Sequence, residues 1–563
     1  MATIYRGPAV LVIGLDGATM RLLGPLMAAG RLPHLSRLSA AGASGLLRST
    51  IRPESSVAWS SFATGLEPGR HGVFGFVSQS PGSYRARLTT AADLAAPPFW
   101  AHLAGHGVRA GVFNVPVAAY PPRSLPAGSF TVGGLGAPGL ASDFTWPAEL
   151  KAGLLAHVAG YRLDVDEAGT SDERLITELA ELTRVHLAAA RYLVESRQPD
   201  LFVAVFMATD RIQHYLWRHL DARHPRHDAA RSQRLAGRIH ALYEQLDAAV
   251  GELAGLAAAD ALILVMSDHG FDACGRALSL NAWLAGQGWL QLRAGAAARG
   301  RSAALLGRLR RLPGLRRLKA ALPGLRRVAL TEAWHPDPTD WIACEGTAAY
   351  FSDVGGIRIN LQGREPQGVV APAAYDALIG EMSGRLLALR DPLTGHAPVA
   401  AVYRREELYT GPCTDRAPDL IVEPRRDADD PRANYLLAYG APPGSALFFD
   451  PPRLSGNHDL DGILIAAGPG VRPGAFASAR LWDLAPTICH ALGVSPPEGL
   501  DGRALIELLP RGDGRPGAHD GASSAGATAQ DQAAGTIVAE ETGLSAEDEA
   551  AIAARLRALG YLS

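Results

Sequence analysis

Three short apolar runs, each ending on an acidic residue, limit the folds open to this chain of 563 residues. They read AVLVIGLD, LFVAVFMATD and ALILVMSD, and they end on Asp16, Asp210 and Asp268. Apolar runs of this length, rich in Val and Ile, are typical of strands buried on both faces, and hence of a parallel sheet. Amphipathic stretches over 171–196 and 236–257 precede the second and third runs. This alternation predicts an α/β fold, an open sheet with helices on both sides.

Carboxylate and imidazole side chains collect at the predicted carboxyl ends of these strands, the edge where open α/β sheets bind ligands. An Asp and a His are spaced four apart in DRIQH, and would share one face of a helix. Mixed Asp and His ligands suit Zn²⁺, with Mn²⁺ or Fe as alternatives. Each residue also has an ordinary explanation as a cap, a turn former or a helix-face residue, but their conjunction favours a two-metal site. The six candidate ligands are Asp16, Asp210, His214, Asp268, His269 and His458.

Composition excludes several classes of protein. The formal net charge of −2 gives no global field for nucleic acid or acidic membranes. The four cysteines lie far apart without CxxC spacing, which argues against a disulfide framework and suits a reducing compartment. The N-terminus lacks the pattern of a signal peptide, and no apolar run approaches the roughly 20 residues of a membrane span. We therefore expect a cytoplasmic location.

The chain divides into five predicted parts. A catalytic core over 8–285 is interrupted by a basic insertion over 286–343, resumes over 344–510, and is followed by a Gly, Ala and Ser-rich linker over 511–540 and a C-terminal helix over 541–563. The insertion contains a near-repeat of LPGLRR with many arginines and no acid. One interpretation is a lid, or a surface that contacts phosphate or membrane lipid. The alternative is a solvated, partly helical insertion broken by its Pro-Gly pairs.

Five motifs occur in an order that resembles a known family. They are GLDG, TGLEPGRHGVFGF, DRIQH, SDHGF and GNHDLDG, and the similarity spans roughly residues 8–507. Together they resemble the type I phosphodiesterase and nucleotide pyrophosphatase family of the alkaline phosphatase superfamily. The resemblance implies a three-layer α/β/α sandwich, alkaline-phosphatase-like, with the basic insertion as a lid over the active-site edge.

The same resemblance implies a nucleophile. In that family a Thr or Ser lies nine residues before the Thr of a TG pair, and counting back from Thr64 gives Ser55, with Ser56 in reserve. Trp59 also fits a position where the family often has Trp. One metal ion would then be held by Asp16, Asp268 and His269 together with the Ser55 oxygen, and the second by Asp210, His214 and His458.

Two departures from the family pattern stand near this serine. Val57 and Ala58 occupy positions where many members have Pro and a phosphate-binding Asn. A backbone N–H, Asn114 or an arginine would have to replace that contact. The C/S-x-P-x-R context of arylsulfatases is missing, which argues against sulfatase activity. His71 in GRHGVF is interpreted as a structural imidazole rather than a ligand.

These features predict a metal-dependent phosphoesterase, a phosphodiesterase or nucleotide pyrophosphatase that acts through a covalent phospho-serine. We expect a small-molecule phosphate ester as substrate, no nucleic-acid polymer as partner, and a lipid or membrane-surface contact only through the basic insertion. The alternatives are a phosphotransferase or phosphomonoesterase of the same superfamily, or a weakly catalytic protein that binds phosphorylated ligands. The leaving group and the oligomeric state stay open.

Overall fold

A computed structural model describes most of the chain. The described residues are 5–80, 82–165, 170–296, 338–352, 355–438, 445–451, 453–509 and 544–558. Most of the predicted basic insertion and the whole of the predicted linker lie outside these ranges. No helix among the described residues combines the length and apolar character needed to cross a membrane.

Strands and helices alternate through the first half of the chain. In chain order the strands are β1 Val10–Leu15, β2 Ala43–Arg48, β3 Val77–Gln79, β4 Ala86–Leu88, β5 Ala110–Phe113, β6 Phe130–Val132, β7 Thr145–Trp146, β8 Leu201–Phe206, β9 Leu262–Met266, β10 Gly270–Ala273, β11 Arg276–Leu278, β12 Ala349–Ser352, β13 Gly356–Ile359, β14 Val399–Arg404, β15 Leu420–Pro424, β16 Tyr435–Leu437, β17 Phe448–Phe449, β18 Gly456–Asp459, β19 Asp461–Ala467 and β20 Gly474–Arg480. The α-helices are α1 Met20–Ala28, α2 Pro33–Ala41, α3 Ser55–Thr64, α4 Pro68–His71, α5 Phe99–Gly105, α6 Leu150–His157, α7 Asp172–Arg197, α8 Ala208–Leu220, α9 Ala229–Leu256, α10 Leu280–Gly286, α11 Tyr375–Ala388, α12 Arg405–Leu408, α13 Leu484–Ala491 and α14 Ala546–Ala558.

A large sheet forms the centre of the described chain. Its nine strands run in the order β20, β2, β19, β9, β1, β8, β5, β6, β7. β1 pairs in parallel with both β8 and β9, so that Val10 lies opposite Leu201 and Leu262. Every residue of β1 and β8 is buried, as expected for strands covered on both faces. Helices α7, α8 and α9 contact one another and α2 contacts α9, while α3, α5 and α13 form a second set of contacts. The predicted α/β/α sandwich is confirmed.

The long helix α7 shows how local sequence determines these layers. The Ser171 side chain accepts a hydrogen bond from the backbone N–H of Arg174, and Asp172 and Glu173 occupy the first turn, where they complement the helix dipole. The helix ends where Gln198 adopts a left-handed conformation with φ of 52°. Its buried side chains recur at helical spacing and face the sheet and α9.

A second, smaller sheet departs from the expectation that the core simply resumes after the insertion. Strands β12, β13, β15 and β14 form an antiparallel sheet with its own apolar cluster, to which α11 contributes Met382 and Leu386. GILIAAG joins the large sheet as β19, whereas AAYFS and PDLIVEP contribute to this smaller one. We call β12–β15 with α11 the small lobe.

Two further features complete the fold around the site. β10 and β18 form an antiparallel ribbon in which Phe271 lies opposite His458. At the C-terminus, Ile552 and Leu556 of α14 pack into the main apolar core, and Arg555 Nη1 donates to the carbonyl of Ala137 at 2.9 Å. The C-terminal helix therefore docks on the core of its own chain.

Candidate functional site

Two neighbouring strand ends bring together the first predicted ligand group, formed by Asp16, Asp268 and His269. Asp16 follows β1, and Asp268 and His269 follow β9, its parallel neighbour in the sheet. His269 Nε2 lies 3.4 Å from Asp268 Oδ2 and 3.7 Å from Asp16 Oδ1. All three side chains are fully buried. Candidate ligand atoms of the three residues lie within 4.8 Å of one another, as a shared ion requires.

The second group, formed by Asp210, His214 and His458, combines a helix with the β10–β18 ribbon. Asp210 lies in the first turn of α8 and His214 one turn later. His458 reaches the same point from β18. The Nε2 atoms of His214 and His458 are 3.0 Å apart, and each is 3.3 Å from Asp210 Oδ1. Candidate ligand atoms of this group also lie within 4.8 Å of one another.

The two groups adjoin each other. The rings of His269 and His458 stack with their centroids 3.8 Å apart. The antiparallel pairing of β10 with β18 causes this contact, because it carries His458 across to the residues that follow β9. The structure thus gathers all six candidate ligands at one edge of the large sheet.

Ser55 lies beside the first group, at the N-terminus of α3. Its Oγ is 3.2 Å from His269 Nε2 and 3.4 Å from Asp16 Oδ1. The neighbouring hydroxyls are directed elsewhere: Ser56 Oγ donates to Glu54 Oε1 at 3.1 Å, and Ser60 Oγ donates to the carbonyl of Ser56 at 2.6 Å. The geometry therefore favours Ser55 over Ser56 as the hydroxyl that acts at this site.

The buried carboxyl groups of Asp16 and Asp268 favour the binding of a cation. Burial raises the pKa of the Asp268 carboxyl to about 8. Burial also raises the pKa of Asp16 well above its usual range, with further contributions from the charges of Asp268 and Asp210. Carboxylates crowded together out of water resist ionisation, and a divalent ion among them reverses that preference.

In the second group, Asp210 and His458 favour the charge states in which they can bind a metal ion. Burial acts to raise the pKa of Asp210, but His214, His458 and Arg211 outweigh it and hold this pKa well below its usual range. Burial and the adjacent imidazoles lower the pKa of His458 well below its ordinary value. A neutral imidazole beside an ionised carboxylate is the donor set that a metal ion binds.

A buried oxygen atom without a hydrogen-bond partner indicates that these residues fit a metal ion. Asp268 Oδ1 accepts a hydrogen bond from the Gly17 N–H at 3.1 Å, but the buried Oδ2 has no hydrogen-bond partner among the described residues. A buried carboxylate oxygen without a donor is costly unless a cation satisfies it. The mixture of carboxylate and imidazole donors in each group also fits divalent transition metals.

Further buried residues orient the candidate ligands. The indole N–H of Trp59 donates to Asp16 Oδ2 at 2.7 Å. Arg211, which is fully buried, donates to Asp210 Oδ2 at 2.8 Å and to Asp164 Oδ2 at 3.0 Å. The family resemblance had marked the position of Trp59 but not its role. Arg211 lies inside the DRIQH motif without having been singled out, and nothing in the sequence around Asp164 pointed to this contact.

The structure narrows the candidates for the missing phosphate contact. Val57 and Ala58 are buried within α3. The Asn114 side-chain amide donates to the carbonyl of Val205 at 2.9 Å, inside the sheet. His71 is also occupied, since it accepts a hydrogen bond from the Val73 N–H at 3.2 Å, and burial lowers its pKa to about 3. Backbone N–H groups at the N-terminus of α3, with its partial positive charge, and an arginine remain candidates for this contact.

Comparison with known proteins shows the family and the fold of the chain. The family model for type I phosphodiesterase / nucleotide pyrophosphatase matches residues 10–429. Phosphonoacetate hydrolase from Sinorhizobium meliloti 1021 is a similar solved structure, with 18% identity, a TM-score of 0.52, and coverage of 85% of this chain and 94% of that one. Human ectonucleotide pyrophosphatase / phosphodiesterase 5 has 13% identity and a TM-score of 0.48, with coverage of 90% of this chain and 100% of that one. No curated protein matches the chain in sequence.

The family match confirms the resemblance drawn from the motifs. The matched residues include the nucleophile candidate and five of the six candidate ligands, and His458 follows the matched span. The phosphonoacetate hydrolase structure supports the fold, and at this identity it supports the fold alone. Because the family model matches most of its length, the chain belongs to the type I phosphodiesterase / nucleotide pyrophosphatase family.

Proposed function

We propose that this protein is a metal-dependent phosphodiesterase or pyrophosphatase that acts on a small-molecule phosphate ester through Ser55. One observation carries the proposal: the Ser55 hydroxyl lies 3.2 Å from His269 and 3.4 Å from Asp16, beside the first of two adjoining buried ligand groups. Membership of the family supports the hydrolase class. The residues named as ligands and nucleophile are part of this proposal.

In the proposed reaction, Ser55 Oγ attacks phosphorus in line with the leaving group. A bond forms between Oγ and phosphorus, the bond from phosphorus to the leaving oxygen breaks, and a phospho-serine results. Water then attacks the same phosphorus and releases Ser55 for another cycle. Divalent ions held by the two groups would supply charge stabilisation for the phosphoryl oxygens and increase the acidity of the serine hydroxyl.

The surrounding residues hold Ser55 ready for this attack. As the first residue of α3, Ser55 presents its oxygen at the positive end of the helix dipole, which favours a developing negative charge there. Trp59, one turn further along α3, fixes Asp16 through its 2.7 Å hydrogen bond. Complete burial of Asp16 and His269 keeps bulk water from competing with these contacts.

We further propose Zn²⁺ as the metal, with Mn²⁺ or Fe as alternatives, because both groups combine carboxylate and imidazole donors. A cytoplasmic location is also proposed. Its support is that the four cysteines are buried and form no disulfide. The role of the basic insertion as a lid or lipid contact stays a prediction, because most of that segment lies outside the described residues.

The test compares bis-p-nitrophenyl phosphate with p-nitrophenyl phosphate on metal-reconstituted protein. We expect faster cleavage of the diester, and a loss of about 10³-fold or more in the Ser55→Ala variant. Ser56→Ala is the matched control and should retain most of the activity, because its hydroxyl bonds to Glu54 instead. Preference for the monoester would indicate a phosphatase, and full activity in Ser55→Ala would refute the assignment of the nucleophile.

A further inference from the structure

A cleft opens directly from the candidate site towards the small lobe. It is bordered on one side by residues 51–54, which precede Ser55, and on another by His214 and His458. The small lobe contributes Val422 and Glu423 of β15. The volume open to the centre of a water molecule is about 70 Å³, and the cleft is open to solvent at its mouth. A substituent on a phosphorus atom held at Ser55 can therefore enter this cleft without leaving the site.

Six aliphatic side chains are among the fifteen residues that line the cleft. They belong to three separate parts of the chain: the segment before Ser55, the small lobe with the strand that follows it, and the segment around β18. Three of them, Ile51, Leu436 and Leu454, are half-buried, and the other three are buried. The six are Ile51, Val422, Leu436, Leu437, Leu454 and Leu460.

The described lining contains no Phe, Tyr or Trp on which a nucleobase could stack. Apart from the imidazoles of His214 and His458, no aromatic ring is among the described residues that line the cleft. Proteins that hold unpaired bases commonly stack them on aromatic side chains. Aliphatic walls instead gain free energy in proportion to the apolar area that a bound group removes from water.

The charges in the cleft are balanced in pairs. Arg52 Nη2 donates to Glu54 Oε2 at 2.6 Å. Arg426 Nη1 donates to Glu423 Oε1 at 3.2 Å, and its Nε donates to the carbonyl of His458 at 3.0 Å. Two cations facing two carboxylates leave no surplus positive charge for a polyphosphate chain. The cleft therefore suits an uncharged group.

We propose that the cleft binds the retained ester substituent of the substrate, and that this substituent is an uncharged aliphatic group rather than a nucleoside. The inference rests on the proposed phosphodiesterase function and names the substrate class of the same site. In-line attack sends the leaving group away from Ser55 Oγ. A cleft bordered by the residues that immediately precede Ser55 accordingly receives the group that stays on phosphorus.

The experiment uses a series of diesters with one common leaving group. Metal-reconstituted protein is assayed with the methyl, butyl and octyl esters of p-nitrophenyl phosphate, and with the p-nitrophenyl ester of thymidine 5′-phosphate. We expect kcat/KM to rise about two- to fourfold for each methylene until the cleft is filled, as burial of a methylene predicts. The octyl ester should then exceed the thymidine ester.

Substitutions of residues that line the cleft test whether the dependence of kcat/KM on chain length arises there. Leu436→Ser and, independently, Leu454→Ser should lower the increase in kcat/KM per methylene, because each replaces part of the apolar wall with a hydroxyl. Leu393→Ser is the matched control, since Leu393 is 74% exposed and does not line the cleft, and it should keep the wild-type trend.

Several outcomes would overturn the inference. They are a kcat/KM that is independent of chain length while the methyl ester is hydrolysed, a thymidine ester faster than every alkyl ester, or wall variants that keep the full wild-type trend. In all three the proposed function survives. If protein with two bound ions hydrolyses none of the esters, the proposed function fails and this inference fails with it.

Discussion

Replacing Trp59 with Phe should weaken metal binding by the group formed by Asp16, Asp268 and His269. Trp59 is fully buried, and its indole N–H donates to Asp16 Oδ2 at 2.7 Å. Phenylalanine keeps an aromatic ring in contact with Phe62, whose centroid lies 5.5 Å away, but it has no donor. The substitution therefore removes one hydrogen bond to one proposed ligand.

The expected magnitude follows from the kind of bond that is lost. A hydrogen bond to a charged group contributes about 1.5–3 kcal/mol. Loss of an outer hydrogen bond to a metal ligand typically costs about 10–100-fold in metal affinity. We expect the dissociation constant of this site to rise within that range, while the group formed by Asp210, His214 and His458 changes little.

The same substitution should move metal loading to higher pH. Burial raises the pKa of Asp16 most, the charges of Asp268 and Asp210 raise it further, and the Trp59 hydrogen bond opposes them. Without that donor the pKa of Asp16 rises again, so protons compete with the ion up to a higher pH. Half-loading at a fixed metal concentration should therefore occur at higher pH in Trp59→Phe than in the wild type.

The assay is competition with a chromophoric chelator over a range of pH. Trp100→Phe is the matched control, because Trp100 is equally buried and packs on Phe99 rather than on Asp16. Dissociation constants and half-loading pH values that agree between the Trp59 and Trp100 variants would refute the reasoning.

Two further predictions concern buried charges. Arg211→Met leaves Asp164 and Asp210 without their shared cation, and should lower the free energy of unfolding by about 3–5 kcal/mol in metal-free protein. The loss should be smaller with metal present. Urea titrations that give equal losses with and without chelator would contradict this. Burial opposes ionisation of Asp172, but His219 and two arginines lower its pKa to about 2, so its contribution to stability is present above its ordinary pKa and is lost as pH falls towards 2. The difference in unfolding free energy between wild type and Asp172→Asn should accordingly shrink as the pH falls from about 5 to about 2. A difference that is independent of pH would contradict this prediction.

The sequence predicted the ligands that follow strands more directly than those that depend on distant pairing. Asp16, Asp210 and Asp268 each follow a buried apolar run, and the carboxyl ends of neighbouring parallel strands meet at one edge. His458 is different, because it reaches the site only through the antiparallel pairing of β18 with β10. No local pattern reports that pairing, although His458 was already among the candidate ligands because it precedes a predicted strand.

Other features could not be predicted because they arise from contacts between distant segments. The sequence patterns of the strands at Ile357 and Leu420 are the same whether a strand joins the large sheet or the small lobe. The pairing of Ile357 with Leu420, which lie far apart in the chain, places both strands in the small lobe. The contact of Arg211 with Asp164 likewise joins a helix to a loop far away in the chain. The cleft has the same origin, since its walls come from three separate parts of the chain.

The stereochemical course at phosphorus tests the central claim, attack by Ser55, most directly. One enantiomer of a p-nitrophenyl methyl phosphorothioate is hydrolysed in ¹⁸O-labelled water, and the configuration of the methyl phosphorothioate product is determined. Each in-line displacement inverts phosphorus, so attack by Ser55 followed by attack by water predicts overall retention. Overall inversion would mean that water attacks the substrate directly, and would contradict the covalent role of Ser55.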